Sequence, residues 1–434
     1  EDVHGNALVN KKKTKERKII MTKLILVRRL LYTELITSKT SVRETLVANC
    51  FRWGMEVACS NIIDIDAVRL AIGVLVSIVS TAFGKERLYI DNSKAIIIIL
   101  ARSLGILCAR FQEIYKYCRT NNYFNPKRTF TQLFPITYPF PDFTIDSIIN
   151  DEVFVDVLIE FSTLIMLLTT VAETLIPVFN HGILTGKFTI PLPPAYDCVD
   201  KYLVPFETFF NGKSFEGFSQ LLRIILQGHF YPRDKWIVLS ALFAKGTLSG
   251  LRVLQPIIQA MNIPDIKESD KFDRVMWSAY LKALLSCATG STSSIEHLVE
   301  IARKACFMIT GDIRTTAADM LEEVWDKLAW DGLYEDVSRF HLQRFGGYQV
   351  EFIINQDLGI IHELLLFCLQ RNDRCLKVGV KMLWSILVSE WVMNESLFDI
   401  ERECIVALYD IFHNSKYYTP QAIEIKAFIT ELKM

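Results

Sequence analysis

The dipeptide His362-Glu363 is the strongest hint of chemistry in the chain. A zinc site of the H-E-x-x-H kind needs a second imidazole one helical turn on, so that both rings share a face and the glutamate can act as a base. Leu366 occupies that closing position, so the pair reads as a helix surface. His4, His181, His229, His297, His341 and His413 are scattered, and none stands four residues from another.

Gly212-Lys213-Ser214 resembles the end of a phosphate-binding loop. Such a loop also needs a glycine five residues earlier, so that backbone N–H groups can wrap the phosphates. Glu207 stands there, and its charge repels phosphate. A turn before a helix starting at Phe215 is expected instead. Gly246-Thr247-Leu248-Ser249-Gly250 places its serine one position too late for a nucleophile elbow, and no strand precedes it. It reads as a turn between two helices, Trp236–Lys245 and Leu251–Met261.

Ten cysteines are scattered without a C-x-x-C pair. Most fall inside apolar helical patterns, which fits free buried thiols in a reducing compartment. No catalytic, cofactor-binding or metal-ligating residue is assigned, and no cofactor is expected.

One charge run stands out. Lys11, Lys12, Lys13, Lys15, Arg17 and Lys18 are extended by Lys23, Arg28 and Arg29 along a helix with Ile20, Leu24, Val27 and Leu30. Such a helix can lie on anionic lipid or an acidic partner, though charge runs are more often a solvated face. Aromatics are not interleaved with these bases, as RNA binders require, so no nucleic-acid partner is expected.

The elements that must position these residues are helices. The chain has 434 residues, 51% hydrophobic and 22% charged, with a net charge of -1. That excludes disorder and any global field for nucleic acid. The apolar runs Leu70–Gly84 and Phe161–Ala172 are shorter than the ~18–20 residues of a membrane span. They read as helices buried by neighbouring helices.

Ile295, Leu298, Val299, Ala302, Cys306 and Ile309 line one helix face. Gly311 breaks the pattern, Asp312 is a candidate N-cap, and Ile313, Ala317, Met320, Leu321, Val324 and Leu328 line the next helix. The unit recurs in Leu358–Leu369 with Leu376–Leu387, and in Leu397–Ile411 with a last helix from Pro420. Helix pairs every ~40 residues match the period of HEAT or armadillo arrays. The expected fold is an all-α, armadillo/HEAT-like α-solenoid of stacked helix pairs.

One irregular stretch interrupts it. Eight of the thirteen prolines lie between Pro126 and Pro194, four of them among the aromatics of Asn121–Ile149. Such rings need burial, so an ordered crossing is expected. The expected organisation is N-terminal helical repeats over 1–120, a subdomain joint over 121–200, and C-terminal repeats over 201–434. Glu1 opens the chain without a secretory signal, and the sequence reads as a piece of a longer protein.

Gly311-Asp312-Ile313-Arg314, Ala317-Ala318 and Val324-Trp325-Asp326-Lys327-Leu328 resemble a stretch of DOCK-family proteins. Leu364–Leu369, Val380–Trp391 and Ile400–Phe412 are similar too, as is Phe140–Ile148 followed by Asp151-Glu152-Val153. The resemblance covers about three-quarters of the chain, most specifically 311–412. Its general look is closest to the subfamily that partners ELMO-type scaffolds, in its fungal branch.

That resemblance implies a guanine nucleotide exchange factor for Rho-family GTPases such as Rac. A phosphoinositide-binding domain, a helical armadillo-like region and an exchange domain follow one another in the family, and this chain corresponds to the middle region. The segment itself is then not an enzyme, with the exchange domain outside these residues. Its partners are neighbouring domains and, through the parent protein, an ELMO-type scaffold and a Rho-family GTPase. A cytoplasmic location with peripheral recruitment to the plasma membrane follows. The competing class is a generic HEAT or armadillo adaptor gripping peptides as transport receptors do. It predicts acidic or aromatic ladders at one place in each repeat, whereas Trp325, Trp384 and Trp391 fall on unrelated faces.

Overall fold

In the computed structural model the helical periodicity becomes an all-α chain, described at residues 2–31, 41–60, 65–83, 90–120, 164, 194–202, 212–227, 237–290, 293, 295, 296, 298–353, 357–413 and 420–433. The chain divides into two units, Glu1–Phe209 and Phe210–Met434.

The first unit contains α1 (Asp2–Leu30), α2 (Ser41–Ala58), α3 (Ile65–Phe83) and α4 (Ile90–Thr120). Helix α3 carries the apolar run from Leu70 to Phe83 and packs against the other three. Ala71, Ile72, Val74, Leu75 and Val76 have no exposed surface. A helix apolar on nearly all sides needs such enclosure, and neighbouring helices supply it here. No helix among the described residues is long and apolar enough to cross a membrane. Arg110 of α4 donates through Nε to the Ala58 carbonyl at 3.2 Å, satisfying an acceptor at the end of α2. A 3₁₀ turn, Pro194–Tyr202, packs on α2 with Tyr196 buried. The irregular joint expected over 121–200 lies outside the described residues except at Leu164 and 194–200.

The second unit is two rows of helices. The first row is α5 (Gly212–Gln227), α7 (Arg274–Thr289), α11 (Ile361–Cys368) and α13 (Phe398–His413). The second is α6 (Ile237–Asn262), α9 (Ile313–Leu328), α12 (Asp373–Asn394) and α14 (Ala422–Leu432). Helix α8 (Glu300–Thr310) packs beside α6. Each helix touches its neighbours in the row, the solenoid-like pattern expected from the repeat period.

Helix α7 lies at the centre, with Met276 through Ala288 buried without interruption. Its polar groups are matched: Trp277 Nε1 donates to Asn262 O at 2.9 Å, Ser278 Oγ to Leu358 O at 2.9 Å, and Lys282 Nζ to Asp357 O at 2.8 Å. Burial pushes the Lys282 pKa down. A fully buried Leu or Phe contributes roughly 1.5–3 kcal/mol, so this helix is the main apolar anchor of the unit.

Several boundaries differ from the sequence expectation. Gly246–Gly250 is not a turn, because α6 runs unbroken through it. Thr247 Oγ1 bonds back to Phe243 O at 3.0 Å, and Leu248 and Leu251 are buried. A helical glycine costs only about 1 kcal/mol, which that burial offsets. Gly212-Lys213-Ser214 forms the first turn of α5 instead of preceding it. Ile295, Leu298 and Val299 come before α8 rather than within it. Pro420 precedes the N-cap, Gln421, whose capping box with Glu424 starts α14.

A two-stranded antiparallel sheet, β1 (Trp330–Asp331) with β2 (Arg344–Phe345), was not expected at all. It brackets a short helix, α10 (Tyr334–Phe340). Two-residue strands carry no alternation for a sequence to display.

Candidate functional site

Polar groups converge where α9 begins. Gly311 closes α8 at φ +70°, a conformation that favours glycine, and its N–H donates to Phe307 O at 2.8 Å. Asp312 then caps α9, accepting from Thr315 N at 3.1 Å and Thr315 Oγ1 at 2.5 Å. Asn372 caps α12 in the same way, accepting from Cys375 N at 3.0 Å. Asn372 Nδ2 also lies 3.4 Å from Asp312 Oδ2, so the two helix starts are held side by side. Arg314, 5% exposed, is ion-paired with Glu296 and donates to Gln370 Oε1 at 3.3 Å.

Between α8 and this corner lies a cleft of about 620 Å³. Ala241, Ile295, Phe307, Met308 and Ile313 give it apolar walls. Arg303, Lys304, Arg314 and Arg371 face it against two carboxylates, Glu296 and Asp312. Lys304 pairs with exposed Glu300 at 2.6 Å, and Arg371 lies 4.0 Å from Glu424. Three of the four bases are thus matched by carboxylates, so the cleft is apolar without a clear excess of either charge.

Nothing here assembles a nucleophile and a base. Burial raises the Cys306 thiol pKa and pushes that of Cys375 up to about 12, so both stay protonated near neutrality. Thr310 Oγ1 is committed to Cys306 O at 2.8 Å. Among the described residues no three His, Cys, Asp or Glu side chains gather as a metal site.

A second polar cluster zips α9 to α12. Arg374 meets Asp319 at 2.7 Å and Glu322 at 2.5 Å; Lys381 meets Glu322 at 3.0 Å and Asp326 at 2.8 Å. The acids are three and four residues apart, which puts them on one face of α9. Burial opposes ionisation of Glu322, but the hydrogen bonds from Lys381 and Arg374 outweigh it and hold the pKa below the carboxylate norm. The arrangement joins helices and has no open position for a reacting group.

The sequence-level candidates stay apart. His362 is exposed on α11, while Glu363 pairs with Arg223 of α5 at 3.0 Å, a contact along the first row. His413 stacks on Tyr409 with ring centroids 4.3 Å apart. His341 ends α10 in the left-handed region. His181, His229 and His297 lie outside the described residues. In α1, Leu24 and Val27 are buried, as is Leu31 just after it, whereas Lys15, Lys18 and Arg29 are exposed beside Ile19 and Leu26. Lys23 Nζ sits 4.3 Å from the Trp53 ring centroid. The described cysteines form no disulfide, and Cys50, Cys108, Cys287, Cys306, Cys368 and Cys375 are buried. The cleft itself was missed, because its walls come from residues scattered between 241 and 372. Only the Gly311-Asp312 break signalled it.

A protein of Saccharomyces cerevisiae described as DOCK-like protein 1 is 27% identical over 325 residues, which cover 73% of this chain. That similarity supports a DOCK-family relationship. The match spans only 16% of the DOCK-like protein's length. No family model matches the chain. No solved structure matches it either.

Proposed function

We propose that this chain is a non-catalytic helical scaffold segment of a Rho-family, Rac-type guanine nucleotide exchange factor. One observation carries the reading: the DOCK-like similarity extends over 73% of the chain. The segment would space a lipid-binding domain from an exchange domain and offer surface to partners, as a row of helices can, because each repeat touches only its neighbours. Partners reached through the parent protein would be an ELMO-type scaffold, in the manner of the fungal branch, and the GTPase itself. The location would be cytoplasmic, with peripheral recruitment to the plasma membrane. The exposed bases of α1 beside Ile19 and Leu26 suit contact with anionic lipid.

The test is to delete this segment from the natural polypeptide. Exchange on purified Rac should persist, while GTPase activation in cells should fall. Loss of exchange with purified components would contradict the scaffold role, as would unchanged activation in cells.

A further inference from the structure

Helix α13 is apolar on two opposite faces. Ile400, Cys404, Ala407 and Ile411 recur at steps of four, three and four, and this face packs on α11. Ile400, Ala407 and Ile411 are 1%, 4% and 1% exposed. On the other side, Phe398, Ile405, Tyr409 and Phe412 recur at steps of seven, four and three, which sets them in one line along the helix. They are 68%, 68%, 59% and 39% exposed. A surface helix has one apolar stripe; a helix inside a row has two. Helix α7, buried all round, is the interior pattern in this unit. Helix α13 carries such a pattern with one side uncovered.

We propose that the stripe Phe398, Ile405, Tyr409 and Phe412 is a stacking face that receives one further α-helix, supplied by the same polypeptide from outside these 434 residues. Two observations select that occupant. The row α5, α7, α11, α13 already builds this kind of helix-on-helix contact three times, and the stripe continues it. The DOCK-like relative is far longer than the matched stretch, which is 16% of it. Within one polypeptide a small face suffices, because the effective concentration is high.

Glu401 flanks the stripe on one side and Arg402 on the other, with Arg402 3.4 Å from Asp399 and 3.5 Å from Glu403. The incoming helix therefore meets the stripe chiefly through an apolar face of its own.

Hydroxyl-radical footprinting of Phe398, Tyr409 and Phe412, read by mass spectrometry, tests this. The proposal leans on the relative only for its length. The footprint is independent of any effect on a GTPase, so it can fail while the exchange-factor reading stands. The purified 434-residue chain should be monomeric and modified strongly at all three rings. The natural polypeptide should show a several-fold loss of modification at the same rings. Ile405→Glu should restore modification there, yet leave the thermal unfolding of the 434-residue chain unshifted. Equal modification in both proteins overturns the proposal. So does protection in the 434-residue chain that grows with concentration as its mass doubles, since the occupant is then a second copy.

Discussion

Trp325 Nε1 donates to Ser385 Oγ at 2.7 Å, joining α9 to α12 through a part of the core where Trp325 is 1% exposed. Ser385 Oγ in turn donates to Met382 O at 2.7 Å, so the hydroxyl both accepts and donates. Ser385→Ala removes the acceptor and strands the indole N–H. A buried unsatisfied donor costs about 1–3 kcal/mol. Urea unfolding followed by tryptophan fluorescence should show a stability loss of that size. A loss too small to resolve would mean that water reaches the indole.

The ion pairs should divide sharply by burial. Glu296→Ala leaves the Arg314 guanidinium without its carboxylate at a side-chain exposure of 6%. Breaking a fully buried pair costs about 3–5 kcal/mol, and ~2–4 is expected here because Glu296 keeps 23% exposure. Glu300→Ala breaks the pair with Lys304, whose partners are 71% and 65% exposed, and should cost under ~0.5 kcal/mol. Denaturant melts of the two variants side by side check the contrast. Equal effects would contradict it.

Much of the fold was open to reading in the letters. Ile313, Ala317, Met320, Leu321, Val324 and Leu328 sit at helical spacing, and each is buried in α9. Asp312 caps that helix with the side chain a capping residue needs. The helix through Gly246–Gly250 was not legible, because a glycine lowers helix propensity locally while the burial that overrides it is tertiary. Nor was the cleft. Its acidic and basic members come from segments joined only by packing, as when Asn372 meets Asp312 across 60 positions. The second face of α13 was written in the sequence all along, but a stripe of exposed apolar residues has meaning only once the opposite side is seen to be covered.

Gly379 should tolerate no side chain. A Cβ there would come within 2.5 Å of Cys368 Sγ and 3.1 Å of Phe367 Cδ1, where α12 crosses α11. Alanine gains about 1 kcal/mol of helix propensity over glycine, but overpacking a tight core costs about 1–3 kcal/mol. Gly379→Ala is therefore expected to lower the unfolding midpoint. A raised midpoint would show that α11 and α12 can separate freely.

Glu322 should make the α9–α12 seam sensitive to acid. Burial alone would raise its pKa, but Lys381 and Arg374 outweigh this and hold it below 4.5. A lowered folded-state value means the stabilisation is present above the unfolded value and is lost as pH falls through the folded one. Glu322→Gln should thus cost most near neutrality and progressively less below pH 4.5. Unfolding free energies of both proteins between neutral and acid pH measure this. A difference that stays constant with pH would remove Glu322 as the cause.

The proposed scaffold role requires that the chain does not itself accelerate nucleotide exchange. Release of a fluorescent guanine nucleotide from Rac, timed with and without the purified chain in excess, tests it most directly. The expected release rate equals that of the GTPase alone. Acceleration that rises with the concentration of the chain would contradict it.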